Sequence, residues 1–131
     1  MAKIITLDSY NDKGGELTVL EKKLPFDIRR VFFITHQDKN QSRANHANRK
    51  LQEGLICLTG SCRVSLDDGM DTETIILHDK TQCLLVESMH WIKLDHFSHD
   101  CVLLVLASEY YDDGDHIHDY AVFKKEISAA S

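Results

Sequence analysis

Three side chains able to handle protons or oxygen atoms fall close together in the stretch Ser42 to Gly60, SRANHANRKLQEGLICLTG: His46, Asn48 and Glu53. An imidazole titrates at about pH 6.5, so His46 can both accept and donate a proton near neutrality. Asn48 cannot serve as an ordinary acid or base, but its amide can orient a hydroxyl or donate a hydrogen bond to a developing oxyanion. A carboxylate seldom sits in a core unpaired, so Glu53 is expected to anchor Arg43 or to meet a substrate hydroxyl; a structural salt bridge accounts for it as well as catalysis does. Arg30 and Arg43 each offer a planar guanidinium with two directed donors, suited to holding a phosphate, with solvated strand-end charge as the competing account. Trp91 is suited to close a pocket and stack on a base, or to pack, as single tryptophans in strands more often do.

Two further histidine pairs, His96 with His99 and His116 with His118, have short spacings but lack a second half at the spacing of a zinc site. Both pairs are expected at the surface, the second within the acidic run DDGDHIHD. Tyr110-Tyr111 follows an apolar run and is expected to pack the terminal helix, with contact to a bound nucleotide as the alternative. Cys57, Cys62, Cys83 and Cys101 lie in or beside apolar runs without CxxC spacing, which favours buried thiols over disulfides or a zinc knuckle.

Strands must carry these residues. Short apolar or alternating runs recur at roughly ten-residue intervals, the spacing of an all-β sandwich or barrel. The expected strands are KIITL, ELTVLEK, RRVFFIT, EGLICLT, CRVSLD, ETIILH, QCLLVE, HWIKLD and CVLLVLA. Turn signals separate them at Asp12-Lys-Gly-Gly15, Gly60-Ser61 and Asp67-Asp-Gly69. In CRVSLDD, polar Arg63, Ser65 and Asp67 alternate with Val64 and Leu66, giving one wet and one dry face. CVLLVLA is apolar on both faces and is expected to be a central strand. At the end, Tyr120, Phe123 and Ile127 recur at helical spacing, predicting a short amphipathic helix.

A chain of 131 residues suits one domain, 1–131, with a single core. Its 43% apolar and 27% charged residues, with one proline and six glycines, are ordinary for a globular protein. The net charge of −6 and the scattered basic residues argue against nucleic-acid binding. Local basic spots, Arg29-Arg30 and Arg43 with Arg49-Lys50, suit one or two phosphates, the scale of a nucleotide. The opening MAKIITLDSY has no long apolar region, and the longest apolar run, Cys101 to Ala107, is far too short to span a bilayer, so a cytoplasmic protein without membrane contact is expected.

His46-x-Asn48, four residues, Glu53, six more and Gly60 resemble the first cupin motif, in which His-x-His, a glutamate and a closing glycine occupy two consecutive strands of a small β-barrel. Metal-binding cupins add a third histidine from a later strand, completing a set that suits a transition metal. Here Asn48 replaces one ligand, and Ile92 fits the later position best. The resemblance therefore implies a barrel without metal; a metal-dependent cupin using the nearby His90 is an alternative. The segments PFDIRRVFFI, SRANHANRKLQEGLICLTGSCRVSLDDG and FSHDCVLLVLASEYYDDGD resemble the sugar-nucleotide 3,4-ketoisomerases, metal-independent cupins acting on dTDP-4-keto-6-deoxyglucose.

That resemblance implies an all-β, RmlC-like antiparallel barrel (jelly roll) with a short C-terminal helix. It also implies a homodimer, a dTDP-linked keto sugar as ligand, and neither metal nor organic cofactor. Such enzymes move the hexose ketone from C4 to C3, supplying keto sugars for surface polysaccharides. His46 matches the family's first motif histidine and is the expected catalytic base, with Asn48 binding and polarising the substrate. The family usually has a second histidine where this chain has Asn48, so the second proton falls to His46 itself, His90, a tyrosine or water. The turn DKGGEL also departs from the family pattern, Gly14 standing where an arginine is expected. The competing functions are a related sugar-nucleotide epimerase and a non-catalytic sugar-nucleotide binding module.

Overall fold

In a computed structural model of the chain, which describes residues 2–130, two five-stranded antiparallel sheets face each other. In the first sheet the order is β1 (Lys3–Thr6), β9 (Gln82–Val86), β6 (Glu53–Thr59), β11 (Val102–Ala107) and β4 (Arg30–Thr35). In the second it is β12 (His116–Ile117), β5 (Arg43–Asn48), β10 (Trp91–Asp95), β7 (Cys62–Asp67) and β8 (Thr72–Leu77). A separate hairpin joins β2 (Asp8–Asp12) to β3 (Gly15–Val19), and α1 (Tyr120–Ala130) ends the chain. Among the described residues no helix is long and apolar enough to cross a membrane.

The main core lies between the sheets. Leu55, Cys57, Leu103 and Val105 from the first meet Val64, Leu66, Ile92 and Leu94 from the second. CVLLVLA is an interior strand, paired with β6 on one side and β4 on the other. CRVSLD has the expected alternation, with Cys62, Val64 and Leu66 buried and Arg63, Ser65 and Asp67 half-buried. All four cysteines are buried and free.

The all-β class with one terminal helix stands, but the two sheets are not hydrogen-bonded into a closed cylinder. Packing of their inner faces joins them instead. Three strands fall outside the expected set. β2 is exposed throughout, so no burial pattern marks it. β5 lies in a polar stretch, and β12 is only two residues long. In the β2–β3 turn the positive φ values belong to Lys13 (49°) and Gly14 (78°), while Gly15 already pairs in β3. Gly60, between β6 and β7, adopts φ +73°, and a Cβ there would lie 2.3 Å from the Ser98 hydroxyl oxygen, so the motif's closing glycine is required sterically.

α1 is positioned by both ends of its first turn. Asp119 caps it, its carboxylate accepting from the N–H groups of Ala121 (2.8 Å) and Val122 (3.3 Å). Phe123, fully buried, then packs on Ala47 of β5 and Ile117 of β12. Arg49, just beyond β5, clamps Glu126 of the helix with two hydrogen bonds of 3.0 and 2.7 Å. The helix thus covers the outside of the strands that carry the site on their inside.

Candidate active site

β5 is bent just ahead of His46. Ala44 and Asn45 both adopt left-handed φ values, 70° and 55°, and the pairing with β10 slips there. Ile92 stands opposite His46 and Lys93 opposite Ala44, which makes Asn45 the extra residue of a bulge. Bulges re-aim side chains beside functional sites, and two non-glycine residues in this region cost about 1–3 kcal/mol each. One consequence is visible in the bonding: the Ala44 carbonyl lies 3.0 Å from Nδ1 of His46. A carbonyl only accepts, so Nδ1 carries the hydrogen and Nε2 carries the lone pair.

Past the bulge, alternation resumes. His46 and Asn48 face inward between the sheets, while Ala47 faces outward beneath Phe123. The inner side chains line a cavity of about 290 Å³ with Arg30, Arg43, Glu53, Ile92, Tyr111 and His116 among its walls. Burial pushes the His46 imidazole below its ordinary value of 6.5; the charges of His116 and His118 add to the effect, and the Ala44 hydrogen bond opposes it. The ring is therefore held as the neutral base at pH 7. Asn48 is 5% exposed, and its Oδ1 has no hydrogen-bond partner among the described residues. An unmatched buried acceptor costs about 1–3 kcal/mol, and the residue that carries it lines the same cavity as His46.

Glu53 and Arg30 flank Ala107 in register, Arg30 on β4 and Glu53 on β6, so both point to the inner face across one small residue. Burial raises the Glu53 carboxyl to about 7, against the pull of Arg30. The Arg30 guanidinium lies 4.4 Å from the centre of the Phe32 ring and 5.1 Å from that of Tyr111. Glu53 therefore does not anchor Arg43, which is exposed and donates to Gln37 at 3.2 Å.

Two expected candidates lie elsewhere. Trp91 has the opposite parity from Ile92 on β10, so it faces outward; its ring centre is 5.3 Å from Tyr120 and 5.8 Å from Phe123, against α1. His90 precedes β10 after Met89, whose φ of 57° turns the chain, so strand alternation does not reach it. Its Nδ1 lies 3.1 Å from the Ser88 carbonyl, and it lines a separate depression with Asp68, Glu73 and Glu87. It cannot complete a ligand set with His46.

His96 and His99 are exposed as expected, and so is His118, but His116 is not. His116 pairs opposite Asn48 on β12, lines the cavity and stacks on His46, with ring centres 4.5 Å apart and planes at 11°. Tyr111 lines the cavity too, edge-on to His116 at 5.8 Å, and is not packed beneath the helix. A two-residue strand has no readable period; the signal present in DDGDHIHD was the polar-apolar-polar order of His116, Ile117 and His118, with Ile117 buried under Phe123. Asp113, His116 and His118 also bring three ligand-type atoms within 4.8 Å of one another, so the described residues offer a cation one grouping, largely exposed.

The sequence profile of the FdtA family (WxcM-like, C-terminal) matches residues 1–128. The TDP-4-oxo-6-deoxy-alpha-D-glucose-3,4-oxoisomerase of Aneurinibacillus thermoaerophilus is 42% identical over 128 residues, covering 96% of this chain and 92% of the relative. The crystal structure of QdtA, a sugar 3,4-ketoisomerase of Thermoanaerobacterium thermosaccharolyticum in complex with TDP, is 38% identical with a TM-score of 0.94, covering 98% of this chain and 96% of that one. A dTDP-4-dehydrorhamnose 3,5-epimerase from Bacillus anthracis, at 15% identity and a TM-score of 0.77 over 88% of this chain and 76% of its own, shares the RmlC-like cupin fold. With a profile spanning nearly every residue and a relative of this identity and coverage, the chain belongs to the FdtA (WxcM-like, C-terminal) family.

Proposed function

We propose that this protein is a sugar-nucleotide 3,4-ketoisomerase that converts a dTDP-4-keto-6-deoxyhexose into its 3-keto isomer. The observation that carries the proposal is the pairing, in one cavity between the sheets, of His46 as a neutral base with an Asn48 acceptor that lacks a partner. Nε2 of His46 takes the C3 proton. The C3–H electron pair forms the C3=C4 bond while the carbonyl pair moves onto O4, giving an enediolate. The O3–H proton then passes to O4, its electron pair makes the C3 ketone, and the C3=C4 pair takes up a proton at C4. C3 is oxidised as C4 is reduced, so the sum needs no external oxidant. Asn48 accepts from a sugar hydroxyl and holds the O3–C3–C4–O4 edge against His46. Arg30 and the more exposed Arg43, on the cavity wall, carry cation charge for the diphosphate or the sugar oxygens.

Within this proposal the protein works in the cytoplasm, consistent with four unpaired thiols, and feeds deoxy and amino sugars to surface polysaccharides. It is a homodimer, for which the supporting feature is the outer face of the first sheet, where Val31, Phe33 and Leu58 are exposed together. The test is incubation with dTDP-4-keto-6-deoxyglucose carrying carbon-13 at C3 and C4, followed by carbon NMR. A carbonyl signal transferred from C4 to C3 is expected; an unchanged C4 carbonyl with measurable TDP binding would assign the protein to the non-catalytic binding class, which Asn48 favours.

A further inference from the structure

Isomerisation needs a proton delivered at C4 after one has been taken from C3, and Asn48 beside His46 cannot deliver it. We propose that His116 is this second proton-transfer residue, reaching the reacting carbons from the neighbouring strand β12; the inference rests on the ketoisomerase reading above.

Register carries most of the case. His116 stands directly opposite Asn48 in the antiparallel pair β12–β5, and such residues project to the same face with Cβ atoms about 4.5–5.5 Å apart. An imidazole absent from one strand is thus supplied by the next. The His46 and His116 rings are stacked, not edge to edge, so neither uses its nitrogens on the other and both line the cavity. After burial, the charge of His116 is the next largest cause that lowers the proton affinity of His46, so the two rings are close enough to act on one another. Asp113, 3.7 Å from Nδ1 of His116, supplies a negative neighbour for a protonated ring.

The ring is also held in place. Asp115 accepts from the N–H groups of Lys50 (2.9 Å) and Leu51 (3.1 Å), its own carbonyl accepts from Arg49 N–H (3.0 Å), and Ile117 is buried under Phe123. His118 has no comparable place: its side chain is 61% exposed against 16% for His116, and it does not line the cavity. In the step assigned to it, a protonated His116 gives its proton to C4 as the O3–H pair becomes the C3 carbonyl and the O3 proton passes to O4. His46 ends with one proton more and His116 with one fewer, and solvent resets both.

The test separates the two half-reactions by proton NMR in deuterated water with dTDP-4-keto-6-deoxyglucose. His116→Gln is expected to keep exchange of the C3 proton, which His46 performs alone, while the 3-keto product forms at least about a hundredfold more slowly. Adding Asn48→His to His116→Gln is expected to restore product formation at least tenfold, which a merely structural loss would not allow. His118→Gln is expected to match the parent. Product formation by His116→Gln within threefold of the parent overturns the inference, as does a fall in exchange and product together that Asn48→His fails to relieve. A parent that neither exchanges nor isomerises overturns the ketoisomerase reading itself, an outcome distinct from either.

Discussion

At the scale of single residues, the environment of His46 decides its role. Because its pKa lies below 6.5 through burial and the neighbouring histidine charges, the neutral, proton-accepting form persists at pH 7 and is lost only as pH falls through that lowered value. The need for a neutral His46 should therefore give kcat/KM an acidic limb that lies below pH 6.5; His46→Asn should reduce kcat by at least about a hundredfold at every pH. Glu53 makes the opposite kind of prediction. Its carboxyl titrates at about 7 in the fold and near 4.5 unfolded, so the folded state keeps a proton that the unfolded state releases. Stability on this account declines as pH rises from 4.5 towards 7 and is then level. Glu53→Gln should remove that decline and raise stability at pH 7.5 by up to roughly 3 kcal/mol, since each tenfold difference in proton affinity between the two states is worth about 1.4 kcal/mol. Urea denaturation at pH 4.5 and pH 7.5 reads the change. His46, Asn48 and Glu53 could be singled out from the motif the chain resembles, and Arg30 from the resembling segment PFDIRRVFFI; all four line one cavity. The partner of Glu53 could not be identified, because Ala107, which brings Arg30 beside it, belongs to a strand distant in sequence.

At the scale of elements, short irregular segments aim the site more than the long strands do. The bulge at Ala44 and Asn45 turns His46, and the tie between Asp115 and the end of β5 holds β12. Asp115→Ala leaves the N–H groups of Lys50 and Leu51 without that acceptor, the second of them partly buried. A loss of about 1–2 kcal/mol in thermal or urea unfolding is expected, together with a fall in kcat larger than the change in KM, since the segment positions His116 and not the ground-state substrate. The strands with strong apolar period, β4, β6, β7, β9 and β11, were readable because period and burial coincide in them. β2 and β12 were not: one buries nothing, and the other is held by backbone pairing and by a helix that follows it in the chain.

At the scale of the whole molecule, the two sheets have unequal outer faces. α1 covers part of the second, whereas the first leaves Val31, Phe33 and Leu58 in solvent, the face assigned to the homodimer. Val31→Glu with Leu58→Glu should yield a monomer by analytical ultracentrifugation while the parent sediments at twice that mass; a monomeric parent would remove the dimer from the account. The fold class is legible in the sequence because ten-residue punctuation and the motif from His46 to Gly60 agree on a small all-β unit. The open edges between the sheets are not, since closure depends on pairing between strands far apart in the chain. The most direct test of the central claim, that the ketone moves through an enediolate made by His46, is proton NMR of dTDP-4-keto-6-deoxyglucose with the intact protein in deuterated water. The account predicts a 3-keto product with one deuterium at C4; a 3-keto product retaining hydrogen there without solvent exchange, or no product at all, would contradict it.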